Sequence, residues 1–565
     1  MRKRLKDIDP DEIFLDSSNL PQFDTHQFEG RIDSPISKTT GYIVLGFFLC
    51  LIIFFAIRVG ILQVKNGENF AQLSEKNYLR HTPLFAARGV IYDRNKVELA
   101  WNAPSDDPEI LVRQYKDIPG LAHTVGYVQY PTKDSSGFYY REDFIGMDGI
   151  EKTLNDSLQG KNGLRIIEVN ALGKVSRENI IRPPENGDPV TLSIDSKLQS
   201  QMYQVIKGVA ERVGFSGGAG VIMDVRTGEI VAMYGGKDYL ERQLNDATQG
   251  ITQAGSTFKP FALIAALEQG ISLSSIWNGD GPKIFDDFNG RPYEVSNYGD
   301  KSFGDTSLLK ASASSINTVY VPLGIKVGVD KVIDAARRAG IPDTVSMVPS
   351  PSVVLGVASP RVIDVANSFA TFAANGVRAK PFLVKEVLGA NKGVLYQARV
   401  ETEQVFDESV MADLNYALGE VVRAGTASSA LRDFGRPAAG KTGTSQSNAS
   451  AWFTGYTPQL ATSIAFYRDD ATQSLNGIGG LNSVTGGSFP ARIWNAYMKG
   501  ALKGQEPIDF APPSFIGGTE ALPIPNPVAT IAPAIVRTQH ASLPSILDPP
   551  ISAAAVVHGC LSTTG

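Results

Sequence analysis

Apolar positions come in blocks whose period changes along the chain. Gly41 to Ile57 is a 17-residue uncharged run rich in Phe, Ile and Leu. Arg58 interrupts it and Val59 to Val64 continue it; with the arginine reaching to the interface, the run is long enough to cross a bilayer once. Forty mostly polar residues precede it and no small-x-small site follows, which argues against a cleaved signal peptide. Further on, "ARGVIYDRNKVELAWN" alternates around Asn95-Lys96, the pattern of a β-hairpin. "FIGMDGIEKTLNDSLQGKNG" predicts a short helix closed by glycines, and "NGDPVTLSIDSKLQSQMYQVIKGV" passes from strand to helix with Asp195 or Ser196 as N-cap. "GAGVIMDVRTGEIVAMYGG" predicts two apolar strands joined at Arg226-Thr227-Gly228, with Asp224 and Arg226 as turn residues. The run Phe261 to Leu267, closed by Gly270, predicts a helix that starts near Ser256 and lies on the sheet built from that hairpin.

Composition narrows the class. The 565 residues allow two or three domains, and a net charge of −5 makes no case for nucleic acid. Nine prolines fall between Pro512 and Pro550 with few charges, which predicts a flexible or extended tail. We divide the chain into a tail (1–40), a transmembrane helix (41–63), a β-rich pedestal (64–195), a catalytic domain (196–508) and a Pro-rich tail (509–565). The two cysteines, Cys50 and Cys560, leave no intrachain disulfide beyond the span and no His/Cys cluster for zinc. No histidine lies between residues 124 and 539, so a Ser-His-Asp triad cannot operate there. Nothing in the sequence calls for a metal or a cofactor.

Three short motifs carry the chemistry. "GSTFKPF" places Ser256 and Lys259 three residues apart, where one helix face brings the amine towards the hydroxyl. Lysine serves as a base only when neutral, and a helix N-terminus and a second cation at Lys441 both lower its pKa. Ser315-Ile316-Asn317 follows: Ser315 can relay a proton to a leaving amine and Asn317 can hold a substrate amide. "AAGKTGTS" then gives Lys441, Thr442, Gly443 and Thr444, a strand with a cation, two hydroxyls and a glycine that admits a close backbone. Such a strand suits an extended peptide ending in a carboxylate, added as a further strand, with the Ser256 and Thr444 N–H groups as oxyanion donors. The plainer reading of Lys441-Thr442-Gly443 is a turn before a strand at Trp452.

Ser-x-x-Lys, Ser-x-Asn and Lys-Thr-Gly in this order are the signature of serine enzymes that bind penicillin. From about residue 42 to 500 the chain resembles a class B penicillin-binding protein, a peptidoglycan D,D-transpeptidase. The strings "NDATQG", "GDTSLLKASASSINT" and "AWFTGYTP" carry the likeness around the motifs, and "RGVIYDRNKVELA" and "GIEKTLNDSLQGKNG" resemble the family's non-catalytic pedestal, or dimerisation domain. "NFAQLSEKNYLRHTPLFAARG" leans to the cell-elongation subfamily. The resemblance implies an α+β penicilloyl-serine-transferase fold, attack of Ser256 on a D-Ala-D-Ala stem peptide, release of D-Ala and cross-linking to a neighbouring stem. It also implies acylation by β-lactams, a SEDS-family membrane glycosyltransferase as partner, and a bacterial cell membrane location with the N-terminus cytoplasmic and the catalytic domain outside. Three departures stand out: Ala254 where proline is usual, Lys96 where a turn glycine is frequent, and a head region reduced to about twenty residues between "VELAWN" and "AHTVGYV". A bifunctional class A enzyme needs a glycosyltransferase domain where the pedestal strings stand, although strings around the catalytic motifs have a class A flavour. A β-lactamase rarely carries a span and a pedestal. A D-Ala-D-Ala carboxypeptidase and a non-enzymatic β-lactam sensor or wall-assembly scaffold remain open alternatives.

Overall fold

The computed structural model describes residues 37–68, 70–71, 79–106, 109–135, 139–169, 175–214, 217–236, 238–287, 289–389, 393–468, 470 and 473–517. Residues 1–36 of the N-terminal tail and the proline-rich segment from 518 on lie outside them.

The chain forms two units. The first holds helix α1 (Lys38–Gly60), continued by a π-helical turn at Ile61–Lys65. Ser37 caps α1 by accepting from Thr40 N, and none of its residues is buried. Among the described residues this is the one helix long and apolar enough to cross a membrane. The same unit contains an antiparallel sheet in which Gly163–Val169 pairs with both Leu79–Leu84 and Val175–Arg182.

The second unit contains the remaining described elements. The expected hairpin forms: Ile91–Tyr92 pairs antiparallel with Glu98–Ala103, and Lys96 takes a left-handed φ of 62°, the conformation a glycine would supply. Asp93 secures the turn by accepting from Asn95 N and Val97 N. Between these strands and the predicted short helix lies a buried charge cluster. Glu151 Oε2 meets Arg88 Nε at 2.6 Å and its Oε1 meets Arg113 Nε at 2.8 Å. Arg88 also donates to the carbonyls of Phe144 and Glu151, so "RGVIYDR" and "GIEKTL" are joined through one carboxylate.

Helix α2 (Ser196–Val213) begins at Asp195, whose carboxylate accepts from Lys197 N and Leu198 N. It leads into a five-stranded antiparallel sheet of β1 (Gly217–Asp224), β2 (Ile230–Tyr234), β3 (Ala439–Thr444), β4 (Ser450–Tyr456) and β5 (Leu460–Tyr467), in the order β2-β1-β5-β4-β3. The β1–β2 turn falls at Arg226-Thr227-Gly228 as predicted, with Asp224 accepting from Arg226 N and Thr227 N. Successive side chains of a strand face opposite ways, and here each face finds a helix layer. Gly455 accepts from Trp494 Nε1 of α8 (Phe489–Ala501), while Tyr456 packs on Phe369 of α6 (Val362–Ala373). The motif helix α3 (Lys259–Glu268) is buried on every side from Lys259 to Leu267 and touches α6 through Phe261 and Phe372. A helix apolar all round needs burial on every side, which fixes its N-terminus inside the domain.

Residues 509–517 also pack on this domain. Phe510 stacks edge-on to Tyr456, and the backbone N–H groups of Phe515 and Ile516 each donate at 2.7 Å to Asp413 of α7 (Glu408–Arg423).

Candidate active site

Ser256 lies in a 3₁₀ turn, Gly255–Phe258, that runs straight into α3, with Pro260 in the first helical turn. Strand β4 anchors the entry to this turn: Ser450 Oγ and Trp452 Nε1 both donate to Gln253 O, at 2.7 and 2.8 Å. Gly255 is required by its surroundings. Its φ is +56°, and a Cβ there would stand 2.5 Å from Thr444 O. Gly443 is required for a related reason, because a Cβ would stand 2.5 Å from Ala254 O. Its missing side chain therefore makes room for the nucleophile turn, whereas the sequence suggested room for a substrate backbone.

Ser315 ends α4 (Leu308–Ser314) in a left-handed conformation, φ +57°, and Asn317 opens α5 (Asn317–Val327). Left-handed backbone is rare for a residue with a side chain, and such strain gathers at functional sites. At Ser315 it presents both carbonyl and hydroxyl to Lys259, whose Nζ donates to Ser315 O at 2.6 Å and lies 3.1 Å from Ser315 Oγ. Lys259 Nζ also donates to Asn317 Oδ1 at 2.7 Å. Asn317 Nδ2 in turn donates to Ser296 O at 2.8 Å, so both ends of its amide are engaged and one N–H and one lone pair remain. Lys441, on β3, donates from Nζ to Ser315 Oγ at 2.8 Å and to Thr442 O at 3.0 Å.

The predicted reach of Lys259 to Ser256 is not a hydrogen bond here. Among the described residues Ser256 Oγ makes none, and the amine is turned to the Ser315–Asn317 segment. Both lysines are buried, at 0% and 1% exposure. Burial first, then the nearby charge of Lys441, holds the Lys259 amine well below the ordinary lysine range. Burial alone brings Lys441 down to about 7. A neutral amine has two N–H donors and one lone pair. In Lys259 the carbonyls of Ser315 and Asn317 take both donors, which leaves the lone pair for a hydroxyl.

In front of this cluster opens a cleft of about 770 Å³. Ser256, Ser315, Asn317, Thr442 and Thr444 line it, while the lysines stand behind its wall and Gly443 packs beneath the Ser256 turn. The structure thus brings all eight predicted residues to one place in three layers: lining, buried cations and packing glycine. β3 is an edge strand, so a row of backbone donors and acceptors remains beside Thr442 and Thr444. Thr442 Oγ1 meets Thr426 Oγ1 at 2.7 Å, and Thr444 Oγ1 accepts from Gly486 N at 3.3 Å. Motif reading missed Thr426, Gln253, Gly356 and Gly486; the glycine-rich "TGGSF" and the string around Trp452 were the available signals.

Residues 218–469 match the penicillin binding protein transpeptidase domain and residues 107–192 the penicillin-binding protein dimerisation domain. Penicillin-binding protein 1A of Mycolicibacterium smegmatis is 34% identical over 359 residues, 60% of this chain and 44% of its own length. The chain thus spans less than half the length of that curated relative. The PonA1 protein from Mycobacterium tuberculosis, solved in complex with penicillin V, is 30% identical with TM-score 0.52, covering 60% of this chain and 92% of that one. A chain of a solved peptidoglycan synthase complex that coordinates polymerization and crosslinking is alike in fold: 23% identical, TM-score 0.57, covering 84% of this chain and all of that one. The chain carries the dimerisation domain and the transpeptidase domain of the penicillin-binding proteins.

Proposed function

We propose that the chain is a serine-type peptidoglycan D,D-transpeptidase of class B, acting outside the membrane, with residues 64–195 as pedestal and 196–508 as catalytic domain. The observation that carries this reading is the convergence of two buried lysines on Ser315, behind the cleft wall that holds Ser256. Ser256 Oγ attacks the carbonyl carbon of the terminal D-Ala-D-Ala bond and its proton passes to neutral Lys259. The N–H groups of Ser256 and Thr444 receive the oxyanion. The proton reaches the departing D-Ala amine through Ser315, the C–N bond breaks, and an ester remains on Ser256. A neighbouring stem's amine then attacks the ester, forms the cross-link and returns the proton to Ser256. Thr442 and Thr444 hold the donor's carboxylate and backbone along the free edge of β3, with Lys441 supplying a positive charge from behind the wall, while Asn317 holds Lys259 and offers its remaining N–H to the substrate.

Support for class B is the dimerisation-domain match at 107–192, in the stretch where a class A chain needs its polymerase. A chain that makes no glycan requires a partner that does, and a SEDS-family glycosyltransferase meeting α1 and the pedestal fits that requirement. The leaning to the elongation subfamily rests on "NFAQLSEKNYLRHTPLFAARG", and the cytoplasmic N-terminus follows from a catalytic domain that meets its substrate outside. Incubation with a donor stem peptide and an amine acceptor tests the reading. Cross-linked product with release of D-Ala is expected. Hydrolysis alone would make the chain a carboxypeptidase, and no turnover after acylation would make it a sensor.

A further inference from the structure

Tyr298 and Ser483 join the two walls of the cleft. Their hydroxyl oxygens lie 2.9 Å apart. Tyr298 stands on the wall that holds Asn317: Asn317 Nδ2 donates to Ser296 O, and the buried Asn297 donates to Gly279 O and Lys301 O and accepts from Thr318 N. Ser483 leads into the wall beside β3, where Val484 is fully buried, Gly486 N donates to Thr444 Oγ1, and Thr485 and Gly486 line the cleft. The Tyr298 end is held by the buried bonds of Asn297, and the Ser483 end by the buried Val484 and the Gly486–Thr444 bond. The link between them is an exposed hydroxyl pair, with Tyr298 itself 59% exposed. Such a bond contributes little net stability and opens readily.

We propose that the Tyr298–Ser483 hydrogen bond is a gate at the mouth of the cleft, and that these two side chains set how readily an extended substrate reaches Ser256. The proposal rests on the reading of the cleft as the acyl-donor site. A chain laid along the β3 edge must run between the Asn317 wall and the Thr444 wall, and the hydroxyl pair ties those walls together. Opening the bond leaves both anchors intact, so removing it speeds entry without disturbing the lysine cluster.

The test is the second-order rate of covalent labelling of the full chain by a fluorescent penicillin. Tyr298→Phe keeps the ring and removes the hydroxyl; Ser483→Ala removes its partner. Each is expected to raise the rate about two- to tenfold, and the double variant to gain no more than the faster single one, since all remove the same bond. An unchanged or slower Tyr298→Phe, or gains that multiply in the double variant, overturns the gate while labelling of the wild type leaves the site reading standing. A wild type that takes no label defeats the site reading, and the gate with it.

Discussion

Lys259 and Lys441, one from a helix and one from an edge strand, place their amines 3.1 and 2.8 Å from the same oxygen, Ser315 Oγ. Two ammonium groups so close, both out of water, repel each other and lack solvation, so the pair holds fewer than two protons at neutral pH. Burial and the neighbouring Lys441 charge hold Lys259 well below the ordinary lysine range, and burial brings Lys441 down to about 7. Under the proposed reading the two have different work despite equal formal charge.

Substitution separates them. Lys259→Arg introduces a group that stays protonated and cannot act as base, and acylation is expected to fall by about 100-fold or more. Lys441→Arg keeps a cation beside the substrate carboxylate and should retain more activity. Rapid-mixing acylation kinetics measure both; equal losses would contradict the division.

The pH dependence follows with its sign. Lys441 is protonated below about 7 and neutral above it. The kcat/KM for a carboxylate-bearing donor should therefore fall as pH rises through that value, and Lys441→Arg should remove this limb. Stability runs the other way. Between about 7 and the ordinary lysine value of 10.5 the unfolded chain binds more protons at this lysine than the folded one, so stability rises with pH across that window. Chemical unfolding of the wild type and Lys441→Met at pH 7 and 9 should show a shallower rise in the variant.

Glu151 compensates two buried guanidiniums, those of Arg88 and Arg113. Glu151→Gln leaves them without a counter-charge and is expected to cost about 3–5 kcal/mol. The exposed Lys380–Glu401 pair gives the contrast, since Lys380→Ala should leave the unfolding midpoint unchanged.

Periodicity and motif spacing made much of this molecule legible. The α1 run, the hairpin with its turn at Arg226-Thr227-Gly228, the Asp195 cap and the helix after Ser256 each follow from local pattern. The partners of Lys259 were not legible, because helix spacing describes only the α3 face, whereas burial and the left-handed turn at Ser315 decide where the amine points. The role of Gly443 was hidden in the same way: the atom nearest its absent side chain belongs to Ala254, far off in sequence. Of the anchors on Gln253, Trp452 sat inside a string that marked the family and Ser450 stood just before it, yet only β4 pairing shows why those residues stand there.

Covalent labelling by fluorescent penicillin, compared between the wild type and Ser256→Ala, bears most directly on the nucleophile. Covalent label on the wild type and none on folded Ser256→Ala, with the labelled peptide mapping to "GSTFKPF", is the expected result. Labelling of Ser256→Ala at the wild-type rate would place the acylated residue elsewhere and contradict the assignment of the cleft.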